Sequence, residues 1–143
     1  MLSIRESLCR AGKLPRTDHV LRERARLLAE EDRDLVEAVL LSGEPVDRVA
    51  RLKGMTPRAV RHRLHRLGGR MRSKRFRQIL RVRRYLAPAD AEIATRRYCH
   101  GLSLEALAAE RGMTLHALRR RLDAIAAQVR LLVDGVNGRR RGA

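Results

Sequence analysis

The stretch GMTPRAVRHRLHRL, Gly54–Leu67, decides the fold. Arg58, Arg61, His62, Arg63, His65 and Arg66 crowd its last ten residues, and no acid interrupts them. Val60, Leu64 and Leu67 fall at i, i+4 and i+7, the spacing of one buried helical stripe. Thr56 is placed as an N-cap, and Pro57 suits the first helical position because its missing N–H costs nothing there. Gly54 supplies the residue free to take φ > 0 that a sharp corner before this helix requires. One side of the stretch is therefore apolar and the other cationic.

Working outward, the same pattern recurs. A shift of 58 positions lays LLSGEPVDRVARLKGMTPRAVRHRLHRL on YCHGLSLEALAAERGMTLHALRRRLDAI without a gap. Gly43/Gly101, Ala50/Ala108, Gly54/Gly112, Met55/Met113, Thr56/Thr114, Ala59/Ala117, Arg63/Arg121 and Leu64/Leu122 are identical. Val46/Leu104, Val49/Leu107, Val60/Leu118 and Leu67/Ile125 keep apolar residues opposite apolar residues.

Each copy reads as helix, turn, helix. In the first, a helix over about Asp32–Ser42 carries Leu35, Val36, Val39 and Leu40 on one side, and Gly43 ends it. The next helix has Pro45 in its first turn, presents Val46, Val49, Ala50 and Leu52, and stops at Gly54. Met55, in the turn, can plug the space between that helix and the next. The third helix runs from Pro57 to Gly68-Gly69. In the second copy Pro88 opens a helix to Cys99, Ser103 caps a helix through Arg111, and Thr114 caps the last helix. That helix keeps Leu118, Leu122, Ile125, Val129 and Leu132 in register to about Val133, longer than a groove-reading helix needs. The extension is expected to pack on another helix, in this chain or in a second copy of it. Ser73–Leu86 reads as a basic helix with Phe76, Ile79, Leu80 and Val82 inward. Asp18–Glu31 reads as a helix with Val20, Leu21, Leu27 and Leu28. The expected fold is all-α: a flexible N-terminal arm over 1–16, a first unit over 17–72, a basic linker helix over 73–87, a second unit over 88–134 and a disordered basic tail over 135–143. Strand-favouring aromatic and β-branched runs are missing.

Charge points to the partner. The 143 residues carry 33 Lys+Arg against 16 Asp+Glu, a net charge of +17. From Arg48 to Ala89 there are 15 Lys or Arg and no acid. Surfaces kept soluble by charge usually intersperse both signs, so a polyanion is the expected partner. Cys9 and Cys99 form neither a disulfide framework nor a zinc spacing and read as reduced thiols of a cytoplasmic protein. No apolar run approaches the ~20 residues of a membrane span. No Gly-rich phosphate loop, nucleophile–base arrangement or carboxylate cluster suggests an enzyme, and no cofactor or metal is expected.

The run RVARLKGMTPRAVRHRLHRLGGRM, Arg48–Met71, resembles region 4 of bacterial sigma factors, especially the extracytoplasmic-function type. The likeness lies in the alanine before the turn, the hydrophobic residue followed by a Thr cap, and the Val60–Arg66 run. It spans about residues 32–72 and, more weakly, 90–130. It implies a four-helix, promoter-binding helix-turn-helix unit that also docks on RNA polymerase. The aromatic-rich companion region that melts promoter DNA has no counterpart, since the chain has no Trp and one Phe.

The expected function is therefore sequence-specific binding of double-stranded DNA by a nucleoid-associated bacterial or phage transcription regulator. An RNA polymerase-binding regulator, and a phage or nucleoid protein that coats or packages DNA with low specificity, are the alternatives. Residues near the start of a recognition helix reach deepest into the major groove. Arg58, Arg61, His62 and His65 in the first copy, and His116, Arg119 and Arg120 in the second, are the candidates for base edges. Thr56, Arg66, Arg70, Arg72, Lys74, Arg75, Arg77, Arg96, Thr114 and Arg121 are the candidates for phosphates. Arg63 and Arg121 have a second reading, as partners of an acid in their own unit. With about 8 phosphates neutralised, log K should fall against log salt with slope near −7.

Overall fold

The computed structural model describes residues 3–142, apart from the side chains of Arg140 and Arg141. It is all-helical, and the chain divides into two compact units, Met1–Ser73 and Lys74–Ala143. The first unit holds α1 (Ile4–Arg10), α2 (Asp18–Ala25), α3 (Glu30–Val36), α4 (Val46–Lys53) and α5 (Pro57–Arg72). The second holds α6 (Lys74–Val82), α7 (Pro88–Ala94), α8 (Leu104–Arg111) and α9 (Leu115–Arg141). α3 and α7 each run on into a five-residue π-helical turn, Glu37–Leu41 and Thr95–Cys99, and a short 3₁₀ turn, Arg83–Tyr85, follows α6.

The element starts repeat with the spacing seen in the sequence. α7 begins at Pro88 where α3 begins at Glu30, α8 at Leu104 where α4 begins at Val46, and α9 at Leu115 where α5 begins at Pro57. Each pair is 58 positions apart. The corners match as well. Gly54 sits at φ 66° and Gly112 at φ 63°, closing α4 and α8 in the left-handed region. The next N–H bonds back across each corner, from Met55 to the Ala50 carbonyl at 2.8 Å and from Met113 to the Ala108 carbonyl at 2.9 Å. Thr56 and Thr114 then cap α5 and α9, each hydroxyl accepting from the N–H three residues on at 3.1 Å.

The cores are aliphatic. Leu21, Leu35, Val36, Leu40, Val49, Val60, Leu64 and Leu67 are buried in the first unit. Phe76, Ile79, Val82, Ile93, Leu107, Leu118, Ile125 and Val129 are buried in the second. At ~0.8 kcal/mol per buried CH₂, this burial is the main force holding α5 and α9 in place.

Several expected boundaries move. The N-terminal segment is no loose arm: Ser3 and Glu6 form a capping box, Leu8 is fully buried, and α1 packs on α5 and the first π turn. Only Met1 and Leu2 of that expected arm lie outside the described residues. The expected Asp18–Glu31 helix breaks after Ala25, because Leu27 and Leu28 turn into the core together. α3 starts at Glu30 instead of Asp32, with Glu30, Glu31 and Asp32 in its first turn, where negative charge suits the helix dipole. α5 does not stop at Gly68-Gly69 but continues to Arg72. Gly68 is there for clearance, since a Cβ on it would lie 3.2 Å from the Lys13 Cβ. Leu52, expected inward, is 78% exposed. The expected linker helix belongs to the second unit, where α6 packs on α9. The tail is helical to Arg141, with Ala143 outside the described residues. Among the described residues, no helix is long and apolar enough to cross a membrane.

Candidate nucleic-acid interface

α5 is amphipathic in the sense its sequence requires. Val60, Leu64 and Leu67 are buried, while Arg58, Arg61 and His62 stand exposed on its N-terminal half. Among the described residues Arg58, Arg61 and His62 make no hydrogen bond or ion pair. Left-handed Gly54 and the Thr56 cap position this half of the helix at the corner, with α4 behind it. His65, one turn further on, is half-buried, its Nδ1 lying 3.5 Å from the Lys13 ammonium nitrogen. Arg66 is exposed.

The matched arginines do different work. Arg63 reaches back to Asp32 on α3, with Nε 2.8 Å and Nη2 2.6 Å from Oδ1. Arg70 lies 3.6 Å from the other oxygen of the same carboxylate. In the second unit Arg121 reaches Asp90 on α7 in the same way, at 2.7 and 2.6 Å. Asp32 and Asp90 are themselves 58 positions apart, so the ion pair repeats with the corners. Arg121, expected on a DNA phosphate, is thus engaged within its own unit. The same holds for Arg96, which grips both oxygens of Glu110 and approaches His100 Nδ1 at 3.0 Å. Glu110 is held below the usual glutamate range chiefly by the Arg96 hydrogen bond, which loss of hydration opposes, with the charges of Arg96, Arg111 and His100 adding smaller pulls in the same downward direction. A guanidinium that anchors a carboxylate keeps its charge but loses the freedom to follow a phosphate.

The other candidates for phosphate split into two groups. Lys74 and Arg77 are exposed at the start of α6, and Arg72, also exposed, donates to the Gly12 carbonyl at 3.4 Å. Arg75 is half-buried, its guanidinium 5.4 Å from the centre of the Tyr98 ring. The hydroxyls of Thr56 and Thr114 each accept a hydrogen bond from their own helix, which leaves the O–H itself as a donor.

On α9, His116, Arg119 and Arg120 are exposed at positions matching Arg58, Arg61 and His62. The face then departs from its counterpart. Asp123 stands where the first unit has His65, and Ala124 where it has Arg66. Sequence reasoning passed over Arg51 and Lys53, exposed at the end of α4 beside the first corner. The acid-free run from Arg48 onward was the signal that includes them. Among the described residues, no group of three His, Cys, Asp or Glu side chains is placed to hold a metal ion. Comparisons with protein-family models, curated proteins and solved structures give no match.

Proposed function

We propose that the chain is a sequence-specific double-stranded DNA-binding protein, a transcription regulator whose α4–α5 and α8–α9 corners act as helix-turn-helix units. The observation that carries this reading is the N-terminal half of α5. Three adjacent groups suited to base edges, Arg58, Arg61 and His62, stand exposed on a helix whose opposite side is locked into an aliphatic core. A major groove ~12 Å wide admits such a helix, and Arg is the commonest reader of guanine O6 and N7. His116, Arg119 and Arg120 extend the same reading to α9. Arg66, Arg72, Lys74 and Arg77 supply the sequence-independent attraction to phosphate.

The test is a gel shift of sequences selected from a random duplex pool, repeated with excess random competitor. Arg61→Ala should cost about 1–3 kcal/mol and relax one base position, whereas Arg66→Ala should weaken all sequences alike. Binding that random competitor removes completely would replace the regulator with a protein that coats DNA. No binding at low salt would end the reading.

A further inference from the structure

The second unit carries a cleft that the corner does not explain. α6 and α9 leave a cavity of about 540 Å³ between them. Lys74, Arg75 and Gln78 line it from α6, and Arg130, Asp134 and Asn137 from α9. Lys74 and Arg130 are exposed, and among the described residues neither pairs with an acid. Arg75 is pre-arranged, stacked on Tyr98 and donating to Gln78 Oε1 at 3.4 Å. Arg81 donates to Asn137 Oδ1 at 2.9 Å. Both amide oxygens are therefore already accepting, which leaves the two NH₂ ends as donors. Three cations and two amide donors line one cavity, against the single carboxylate of Asp134.

We propose that this cleft is a phosphate site, engaged by the backbone of the same duplex whose bases face α9. Its chemistry is complementary to a phosphate diester: delocalised and point positive charge, plus neutral N–H donors, with little to accept a proton. Its position fits as well. Arg130 follows Arg119 by eleven residues, about three helical turns, so the two lie on the same side of α9, about 16 Å apart. That exceeds the ~12 Å groove width, so a duplex with base edges at Arg119 brings its backbone, not its bases, to the cleft. The proposal rests on the DNA reading for the source of the phosphate, but the anion chemistry stands without it.

The test uses the full chain. Inorganic pyrophosphate is titrated while the side-chain NH₂ resonances of Gln78 and Asn137 are followed by NMR. Duplex affinity is measured across a salt series for Lys74→Ala/Arg130→Ala, for Asp134→Asn, and for charge-matched controls in the first unit, Arg16→Ala/Arg26→Ala and Glu30→Gln. The expected result is that pyrophosphate shifts both amide signals and that the Lys74/Arg130 variant reduces the salt slope by about 2. Asp134→Asn should tighten duplex binding about threefold at 0.1 M salt, a local charge effect that its control lacks. If the cleft variants behave like their controls while Arg61→Ala still relaxes one base position, the proposal falls and the DNA reading survives. If the wild type ignores duplex but pyrophosphate moves both amides, the DNA reading falls and the cleft is a site for free phosphate. Silence in both arms overturns both.

Discussion

Replacing Asp32 with Ala tests the geometry that holds α5 in place. The Asp32 side chain is 10% exposed and receives two short charge-assisted bonds from Arg63, whose side chain is 31% exposed, with Arg70 at 3.6 Å. Breaking a fully buried pair costs about 3–5 kcal/mol because it strands a charge. Arg63 can recover part of its hydration, so the expected cost is about 2–3 kcal/mol. The repeat provides an internal comparison. Asp90 is 13% exposed, but Arg121 is 48% exposed. A pair that open to water contributes only about 1 kcal/mol, so Asp90→Ala should cost about that much. In units of this size 1 kcal/mol moves a melting midpoint by about 4–8 °C. Thermal melts read by circular dichroism, with hydrogen exchange of the α3 and α5 amides, measure each variant. Double-mutant cycles of Asp32 with Arg63 and of Asp90 with Arg121 isolate the pair energies. A coupling below ~0.5 kcal/mol for Asp32–Arg63, or a larger one for Asp90–Arg121, would refute the argument from burial.

Other outcomes follow from the same structure. Gly54→Ala and Gly112→Ala should each destabilise by about 1–2 kcal/mol in urea unfolding, because both glycines hold positive φ. Gly69→Ala should instead stabilise by about 0.5–1 kcal/mol, since it lies inside α5 with open space at its Cβ. Leu64→Ala, at a fully buried position, should cost about 2–5 kcal/mol and unfold much of the first unit at growth temperature. Glu110 should titrate by carbon NMR below an ordinary glutamate, and Arg96→Ala should return it toward that range. The sign follows: a depressed carboxyl contributes its stabilisation fully above the unfolded pKa and loses it as pH falls through the folded value.

Periodicity made the aliphatic side of the chain legible. The inward stripes of α5 and α9 were readable because a helix that buries one face must repeat its apolar residues. The corners were readable because a left-handed turn demands Gly and a helix start rewards Thr. Helix boundaries set by tertiary clearance were not. Nothing local to Gly68-Gly69 says that Gly68 serves clearance within α5 and does not end it, because the neighbour that needs the room is Lys13, more than fifty positions away. Leu52 fitted the apolar spacing of its helix yet met no partner to cover it. The roles of the arginines were the least legible. Arg66, Arg96 and Arg121 look alike in the sequence, and only the fold brings Glu110 and Asp90 to two of them. The matched spacing of Asp32 to Arg63 and of Asp90 to Arg121 was the available clue.

The widened turns after α3 and α7 have a consequence for deletion. A π turn holds one residue more than an α turn over the same rise. Removing Ala38 would let the helix close as a regular α turn with the chain beyond it near its present direction, whereas removing a residue from the regular part of α3 would swing that chain by about 100° around the helix axis. In that second case Arg5, which donates to the Leu40 carbonyl at 3.0 Å, would lose its acceptor, and α4 would start in another direction. These two short stretches, with Val39, Leu40 and Cys99 buried in them, are where each unit can give up a residue in number more cheaply than it can give up its apolar side chains.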